Sequence, residues 1–155
     1  VYVRESLPII LEFANKVAKV HGDHNPENVE IAILFHELSI ELQQHLLKEE
    51  KTLFPKIINL AIINRNGGGI RTPFGSFQNS IRMMKHEHDI AGYIIKKIEK
   101  LSNNFTPPKH ACNTYKALYH HLRAFQSDLH IHIHLENNIL FPKAIELEKS
   151  NQIGY

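Results

Sequence analysis

Cysteine is nearly missing from this chain of 155 residues, where Cys112 stands alone. An internal disulfide is therefore excluded, and a reducing compartment suits such a sequence. Long apolar runs are missing too: none approaches the roughly 20 residues that a membrane span needs, and no stretch resembles a signal peptide. There is little charge of either sign in excess. Lys and Arg number 18 against 16 Asp and Glu, a formal +2 with His neutral, and the two signs are mixed along the chain. Nucleic acid and acidic membrane surfaces thus have no electrostatic claim as partners, and the cytoplasm is the expected location. Sustained period-two alternation is also absent. "LHIHIHLE" imitates a strand for a few residues, but its neighbours on both sides keep a helical period. What the chain has in plenty is histidine, twelve residues in all with no terminal tract.

Four segments carry apolar residues at helical spacing. The first, Val1 to about Val20, has Val3, Leu7, Ile10, Ala14 and Val17. "HGDHNPE" breaks it, and Pro26 suits the first turn of a new helix. The second segment, about Pro26 to Asn64, places Ile31, Phe35, Leu38, Leu42, His45, Glu49 and Leu53 on one stripe. "NRNGGGIRTPFGS" reads as a loop. The third, about Ser76 to Ser102, has Phe77, Ile81, Met84, His88, Ala91, Ile95 and Ile98. After "NNFTPP" the fourth, about Pro108 to Lys149, has Leu118, Leu122, Phe125, Leu129, His132, Glu136 and Leu140. Pro55 and Pro142 lie inside helical patterns and are expected to kink them or end their regular part. Four helices with short connections predict one all-α domain over residues 1–155, an up-down-up-down four-helix bundle.

The second and fourth segments repeat one another. "HLLKEEKTLFPK" runs from His45 to Lys56 and "HIHLENNILFPK" from His132 to Lys143. Subtracting 87 from Leu118, Leu122, Phe125, Leu129, His132, Glu136 and Leu140 returns Ile31, Phe35, Leu38, Leu42, His45, Glu49 and Leu53. The first and third segments match at an offset of 88, which places the counterpart of His88 at position zero, immediately before Val1. A fourth stripe histidine is therefore expected just upstream of the chain.

His45, Glu49, His88, His132 and Glu136 thus occupy stripe positions among Leu, Ile, Phe and Met, with no Lys or Arg on the stripe. An isolated carboxylate in a core costs several kcal/mol or stays protonated. A lone core histidine is more often a hydrogen-bonded core residue than a ligand, but five such residues at matching levels of a duplicated bundle reverse that ordering. A divalent metal removes the penalty, because imidazole nitrogen and carboxylate oxygen are its donors. Residues i and i+4 share one helix face, so each His-x-x-x-Glu delivers both donors to one place. Two such pairs with single histidines from the other helices predict two ions bridged by glutamates. Iron suits this mixed donor set; zinc is usually content with four ligands and has no Cys cluster here, while manganese or a mixed pair stays open on donor type alone.

With these residues in view, the chain resembles the hemerythrin-like domain of the bacterial repair-of-iron-centres proteins, the iron–sulfur cluster repair di-iron family. The resemblance covers essentially the whole chain. It rests on "RESLP" (Arg4–Pro8), "HELSIELQQHLLKEEKTLFPKI" (His36–Ile57), "EHDIAG" (Glu87–Gly92), "TPPKHACNTYKALY" (Thr106–Tyr119) and "HLENNILFPKA" (His134–Ala144). It implies that His45, Glu49, His88, His132 and Glu136 ligate two non-haem irons. It also implies that the family's first ligand His and its small N-terminal Cys-containing domain lie outside this chain. The implied function is repair of iron–sulfur clusters damaged by nitrosative or oxidative stress. Iron donation, nitric oxide reduction, or both would carry it, with damaged iron–sulfur proteins as clients and nitric oxide or dioxygen as small ligands. The alternative is a hemerythrin-like oxygen or redox sensor, or a diatomic-gas-binding module; a bundle whose metal only pins the core is a third reading. Oxygen-carrying hemerythrins use a His-x-x-x-His pair on the third helix, whereas His88 here has Met84 before it and Gly92 after it. That argues against simple dioxygen carriage.

Several further residues enter as candidates. Glu41 and Asp128 each sit one turn before a motif histidine and are related by the same offset of 87. Glu41 is the favoured candidate for a catalytic role, orienting a ligand or relaying protons and iron. Glu87 adjoins His88 but projects about 100° away from it, which makes it the weaker choice. His86, His130 and His134 are expected on the surface, His36, His120 and His121 are lesser candidates for outer support, and His21, His24 and His110 belong in or near loops. Cys112 is expected to be a buried small hydrophobe. Tyr and Phe are core fillers, and a tyrosine lining the metal pocket to bond a diatomic ligand is left unassigned.

Overall fold

A computed structural model describes residues 2–67 and 76–150 of the protein. Its helices are α1 (Tyr2–His21), α2 (Glu27–Lys48), α3 (Phe54–Arg65), α4 (Ser76–Leu101), α5 (Asn113–Leu135) and α6 (Phe141–Ser150). Five-residue π-helical turns, Glu49–Leu53 and Glu136–Leu140, join α2 to α3 and α5 to α6. The architecture is an all-α bundle of four helical runs, with no strand among the described residues. The expected loop after Asn64 lies largely outside those residues, and only its start, the turn at Asn66 and Gly67, is seen.

The prolines explain the π turns. Proline has no N–H to donate, and its ring strikes the carbonyl four residues earlier in an α-helix. Widening the preceding turn relieves both problems, and Pro55 and Pro142 each follow such a turn by two residues. In each, an N–H reaches five residues back, from Phe54 to the Glu49 carbonyl and from Phe141 to that of Glu136. The expected kink or stop is therefore a π turn, a form frequent at functional sites.

The fourth run starts later than the sequence suggests, at Asn113 rather than Pro108. Asn103, Asn104 and Phe105 are left-handed, with φ of 48°, 56° and 54°. The Phe105 N–H is held by the Ser102 hydroxyl at 3.0 Å, and the Arg123 guanidinium donates to the Asn104 carbonyl at 2.5 Å. Helix regains its register only when Lys116 N–H finds the Cys112 carbonyl at 3.0 Å. At the end of α1, a Cβ on Gly22 would lie 2.4 Å from the Ala18 carbonyl oxygen, so the chain can turn there only with glycine.

The chain divides into two compact units, residues 1–43 with 89–131, and residues 44–88 with 132–155. The first unit buries the predicted stripes: Val3, Leu7, Ile10, Ala14 and Val17 of α1, Ile31, Phe35 and Leu38 of α2, Ile95 and Ile98 of α4, and Leu118, Leu122 and Phe125 of α5. Its buried polar groups are satisfied. The Asn28 amide donates to Tyr115 Oη at 2.7 Å and accepts from Tyr119 at 3.2 Å, and burial pushes the Tyr119 phenol well above its ordinary range.

In the second unit Leu53, Leu60, Phe77, Ile81, Met84, Phe141 and Ala144 form one apolar cluster, and α3 packs on α6. The buried Glu148 carboxylate of α6 accepts the Phe77 N–H at 3.2 Å. That satisfies one of the donors a helix start leaves over and ties α6 to the beginning of α4.

Candidate metal centre

The second unit also gathers the polar residues of the stripes. His45 lies in the last turn of α2, and Glu49 opens the first π turn. His88 lies on α4. His132 is in the last turn of α5, and Glu136 opens the second π turn. Four are deeply buried, with exposures of 2 % for His45, 1 % for Glu49, 3 % for His88 and 5 % for Glu136. His132 differs from the sequence expectation of a core position: 32 % of its side chain is exposed.

Two imidazoles meet at the centre, with His45 Nε2 and His88 Nε2 3.0 Å apart. Their outer nitrogens are taken. His45 Nδ1 lies 2.7 Å from Glu87 Oε2, and His88 Nδ1 lies 2.9 Å from Asn137 Oδ1. A carboxylate can only accept, so Glu87 requires the proton on His45 Nδ1. The carbonyl oxygen of Asn137 makes the same demand of His88. With both rings neutral, two bare Nε2 lone pairs would face each other, which a cation between them, or a proton on His45, relieves. Glu87 is itself anchored by the Lys48 ammonium, and His88 stacks on Phe141 at 5.8 Å with an interplanar angle of 6°.

Each glutamate spans two histidines. Glu49 sets Oε1 3.0 Å from His45 Nε2 and Oε2 4.0 Å from His132 Nε2. Glu136 sets Oε2 3.0 Å from His88 Nε2 and Oε1 3.2 Å from His132 Nε2. Each carboxylate thus shows one oxygen to the His45–His88 side and the other to the His132 side.

The electrostatics follow from this crowding. Burial opposes charge on His45, but the carboxylates of Glu136, Glu49 and Glu87 outweigh it and push the imidazole up to about 10. The Glu136 carboxylate, 3.2 Å from its Nε2, raises His132 against its own burial. Burial raises Glu49, helped by repulsion from Glu136 and opposed by His45. Burial acts the same way on Glu136, but His132, His45 and His88 prevail and hold it below the ordinary carboxylate range. Glu87 is lowered against its burial by Lys48 and His45.

These residues fit a divalent metal. Glu49 Oε1, His132 Nε2 and Glu136 Oε2 are buried atoms with no hydrogen-bond partner. The 3.0 Å approach of Glu49 Oε1 to His45 is close in distance without the alignment of a hydrogen bond. Such atoms cost about 1–3 kcal/mol each when nothing satisfies them. Donor atoms of His45, Glu49, His88 and Glu136 all lie within 4.8 Å of one another. The three 3.0 Å separations match adjacent corners of an octahedron with metal bonds of about 2.1 Å. A tetrahedral ion with bonds of that length would hold its donors farther apart.

Other predicted residues fall elsewhere. Glu41 is exposed one turn before His45, and Asp128 is half-buried. His86, His130 and His134 are exposed as expected, as are His36 and His120, while His121 is half-buried against Phe13 with ring centroids 5.6 Å apart. Cys112 is exposed instead of buried, with Sγ 3.2 Å from His21 Nε2. It ends a loop rather than entering a helix face, which leaves it no apolar surface to join. His21 is half-buried, with its ring 5.2 Å from that of Tyr115. Among the described residues of the second unit there is no tyrosine to line the centre.

Sequence reasoning missed Asn137 and Lys48 and ranked Glu87 too low. A residue turned about 100° from a buried neighbour can face the adjacent helix, as Glu87 does in meeting His45 and Lys48.

The model of the hemerythrin HHE cation binding domain matches residues 1–144. A probable iron-sulfur cluster repair protein of Haemophilus influenzae is 41% identical over 144 residues, covering 92% of this chain and 58% of the relative. The iron-sulfur cluster repair proteins YtfE of Musicola paradisiaca and Pectobacterium atrosepticum are 41% and 40% identical, each over 94% of this chain and 60% of the relative. The chain therefore spans about three fifths of the length of these relatives. No helix among the described residues is long and apolar enough to cross a membrane. By the match over nearly its whole length, and with a buried His and Glu cluster suited to a cation, the chain belongs to the hemerythrin HHE cation-binding domain family.

Proposed function

We propose that this chain holds a non-haem di-iron centre at His45, Glu49, His88, His132 and Glu136 and serves the repair of iron–sulfur clusters damaged by nitrosative or oxidative stress. The observation that carries the metal reading is the pair of buried carboxylates, each set between His132 and an imidazole, His45 or His88, whose outer nitrogen is already bonded. Two oxygens on each side of a carboxylate pair is the arrangement that bridges two ions. The repair function is supported by the printed names of relatives about 40% identical, and a reducing cytoplasm suits it.

The chain's residues have distinct tasks in this reading. His45, His88 and His132 supply neutral nitrogen donors, while Glu49 and Glu136 balance the charge of two cations inside an apolar shell. Glu87 and Asn137 hold the rings of His45 and His88 in the tautomer that leaves Nε2 free. His132, a third exposed, is the candidate ligand reached by water, which suits exchange of a small ligand or of iron with a client protein. Glu41, exposed one turn before His45, would relay protons or iron. Bound ferrous iron would supply exchangeable metal for a damaged cluster and electrons for reduction of nitric oxide.

The test is anaerobic loading with ferrous iron, followed by metal analysis and Mössbauer spectroscopy. Two coupled irons per chain are expected; a single zinc per chain defeats the reading. Separately, an iron–sulfur enzyme inactivated by nitric oxide is incubated with the iron-loaded chain. Recovery of its activity is expected, and none when both Glu49 and Glu136 are replaced by alanine. Equal recovery with that variant removes the centre from the function.

A further inference from the structure

The two imidazoles that meet at the centre are held from behind by different groups. His45 Nδ1 has a carboxylate, Glu87, at 2.7 Å; His88 Nδ1 has a carboxamide oxygen, that of Asn137, at 2.9 Å. A carboxylate behind an imidazole raises its basicity and strengthens its bond to a metal, typically changing affinity by about 10–100-fold. A neutral amide fixes the same tautomer with far less of that push. Consecutive residues stand at the two nitrogens of the one ring, since Glu136 Oε2, which has no hydrogen-bond partner, lies 3.0 Å from His88 Nε2. The second π turn makes this possible, because a wider turn brings successive side chains closer in direction than an α-helical turn does. Phe141, stacked nearly parallel on the other side of the turn, keeps the His88 ring in that plane. The position 87 residues earlier is Glu50, which carries a charge and is exposed.

We propose that Asn137 is a positioning residue that holds His88 as its Nδ1–H tautomer and, being an amide instead of a carboxylate, limits how tightly the His45–His88 side retains a metal ion. The proposal rests on the metal reading above and deepens it. Of the two rings, His45 is the strong donor and His88 the weak one, so the grip of that side is set by the chemistry of one side chain. A chain that hands on iron gains from such a limit.

The test uses the full chain and ferrous ion alone under anaerobic conditions, with affinity read by competition against a chromophoric chelator. Asn137→Asp is expected to bind about ten-fold more tightly than wild type, and Asn137→Leu about ten-fold more weakly. Nitrogen-15 NMR of the metal-free wild type reads the His88 tautomer directly and needs no variant; Nδ1–H is expected. An Nε2–H tautomer, or equal affinity in all three proteins with tight wild-type binding, overturns this proposal alone. Wild-type protein that binds no ferrous ion overturns the metal reading and this proposal with it.

Discussion

Replacing Glu49 by methionine separates the cost of the centre from its use. Glu49 is 1 % exposed, and its Oε1 has no hydrogen-bond partner. Removing such an atom returns about 1–3 kcal/mol, and swapping buried ionic groups for apolar ones of similar volume is often neutral to stabilising by about 1–4 kcal/mol. Against this stands the lost attraction to His45, which retains Glu87 at 2.7 Å and Glu136 at 4.0 Å. A net gain of about 1 kcal/mol in chelator raises Tm by roughly 2–4 °C for a chain of this size. With metal at a hundred times its Kd, wild type gains about 2.7 kcal/mol, or roughly 5–11 °C, which the variant forfeits. The order of the two proteins in a thermal melt should therefore cross: Glu49→Met higher without metal, wild type higher with it. A variant that melts below wild type in both conditions, or keeps the full metal-dependent rise, would refute the claim that the carboxylate is tolerated for the sake of a cation.

Further outcomes follow from the same structure. In the metal-free chain His45 is raised from 6.5 to about 10, so its contribution is fully present below pH 6.5 and is lost as pH climbs through 10. Tm of the metal-free protein should fall between pH 7 and 10 by an amount on the order of a few kcal/mol in stability, and a flat profile would contradict this. Metal uptake near neutral pH should release protons, read by calorimetry in two buffers of different ionisation enthalpy; identical heats would argue against it. Glu148→Ala removes a charge-assisted bond to the Phe77 N–H and should cost about 1.5–3 kcal/mol in urea unfolding with metal affinity unchanged. Glu41→Ala should leave Tm within about 0.5 kcal/mol of wild type and slow cluster repair; unchanged repair would remove Glu41 from the relay.

Much of this molecule is legible in its sequence because helical periodicity and burial are the same fact. Every predicted stripe residue of α1, from Val3 to Val17, is buried, and the 87-residue offset brings His45, Glu49, His132 and Glu136 into one cluster. The misses are of another kind. Pro55 and Pro142 announce a disturbance, but not that the chain absorbs it just upstream as a π turn ending two residues earlier. Asn137 and Lys48 act across helices, and which residue faces which neighbour depends on axial stagger that no single helix encodes. The exposure of Cys112 follows from the left-handed run at Asn103–Phe105, which delays α5 until Asn113.

The π turns divide labour along each rod. Donors His45 and Glu49 stand at or before the first, and the apolar plug residues Leu53 and Leu60 close or follow it. Excising one residue between positions 50 and 52 would remove the widened turn, swing everything downstream by about 100° and set the Pro55 ring against a carbonyl again. One widened turn therefore serves two ends, sparing the proline and aiming the apolar plug.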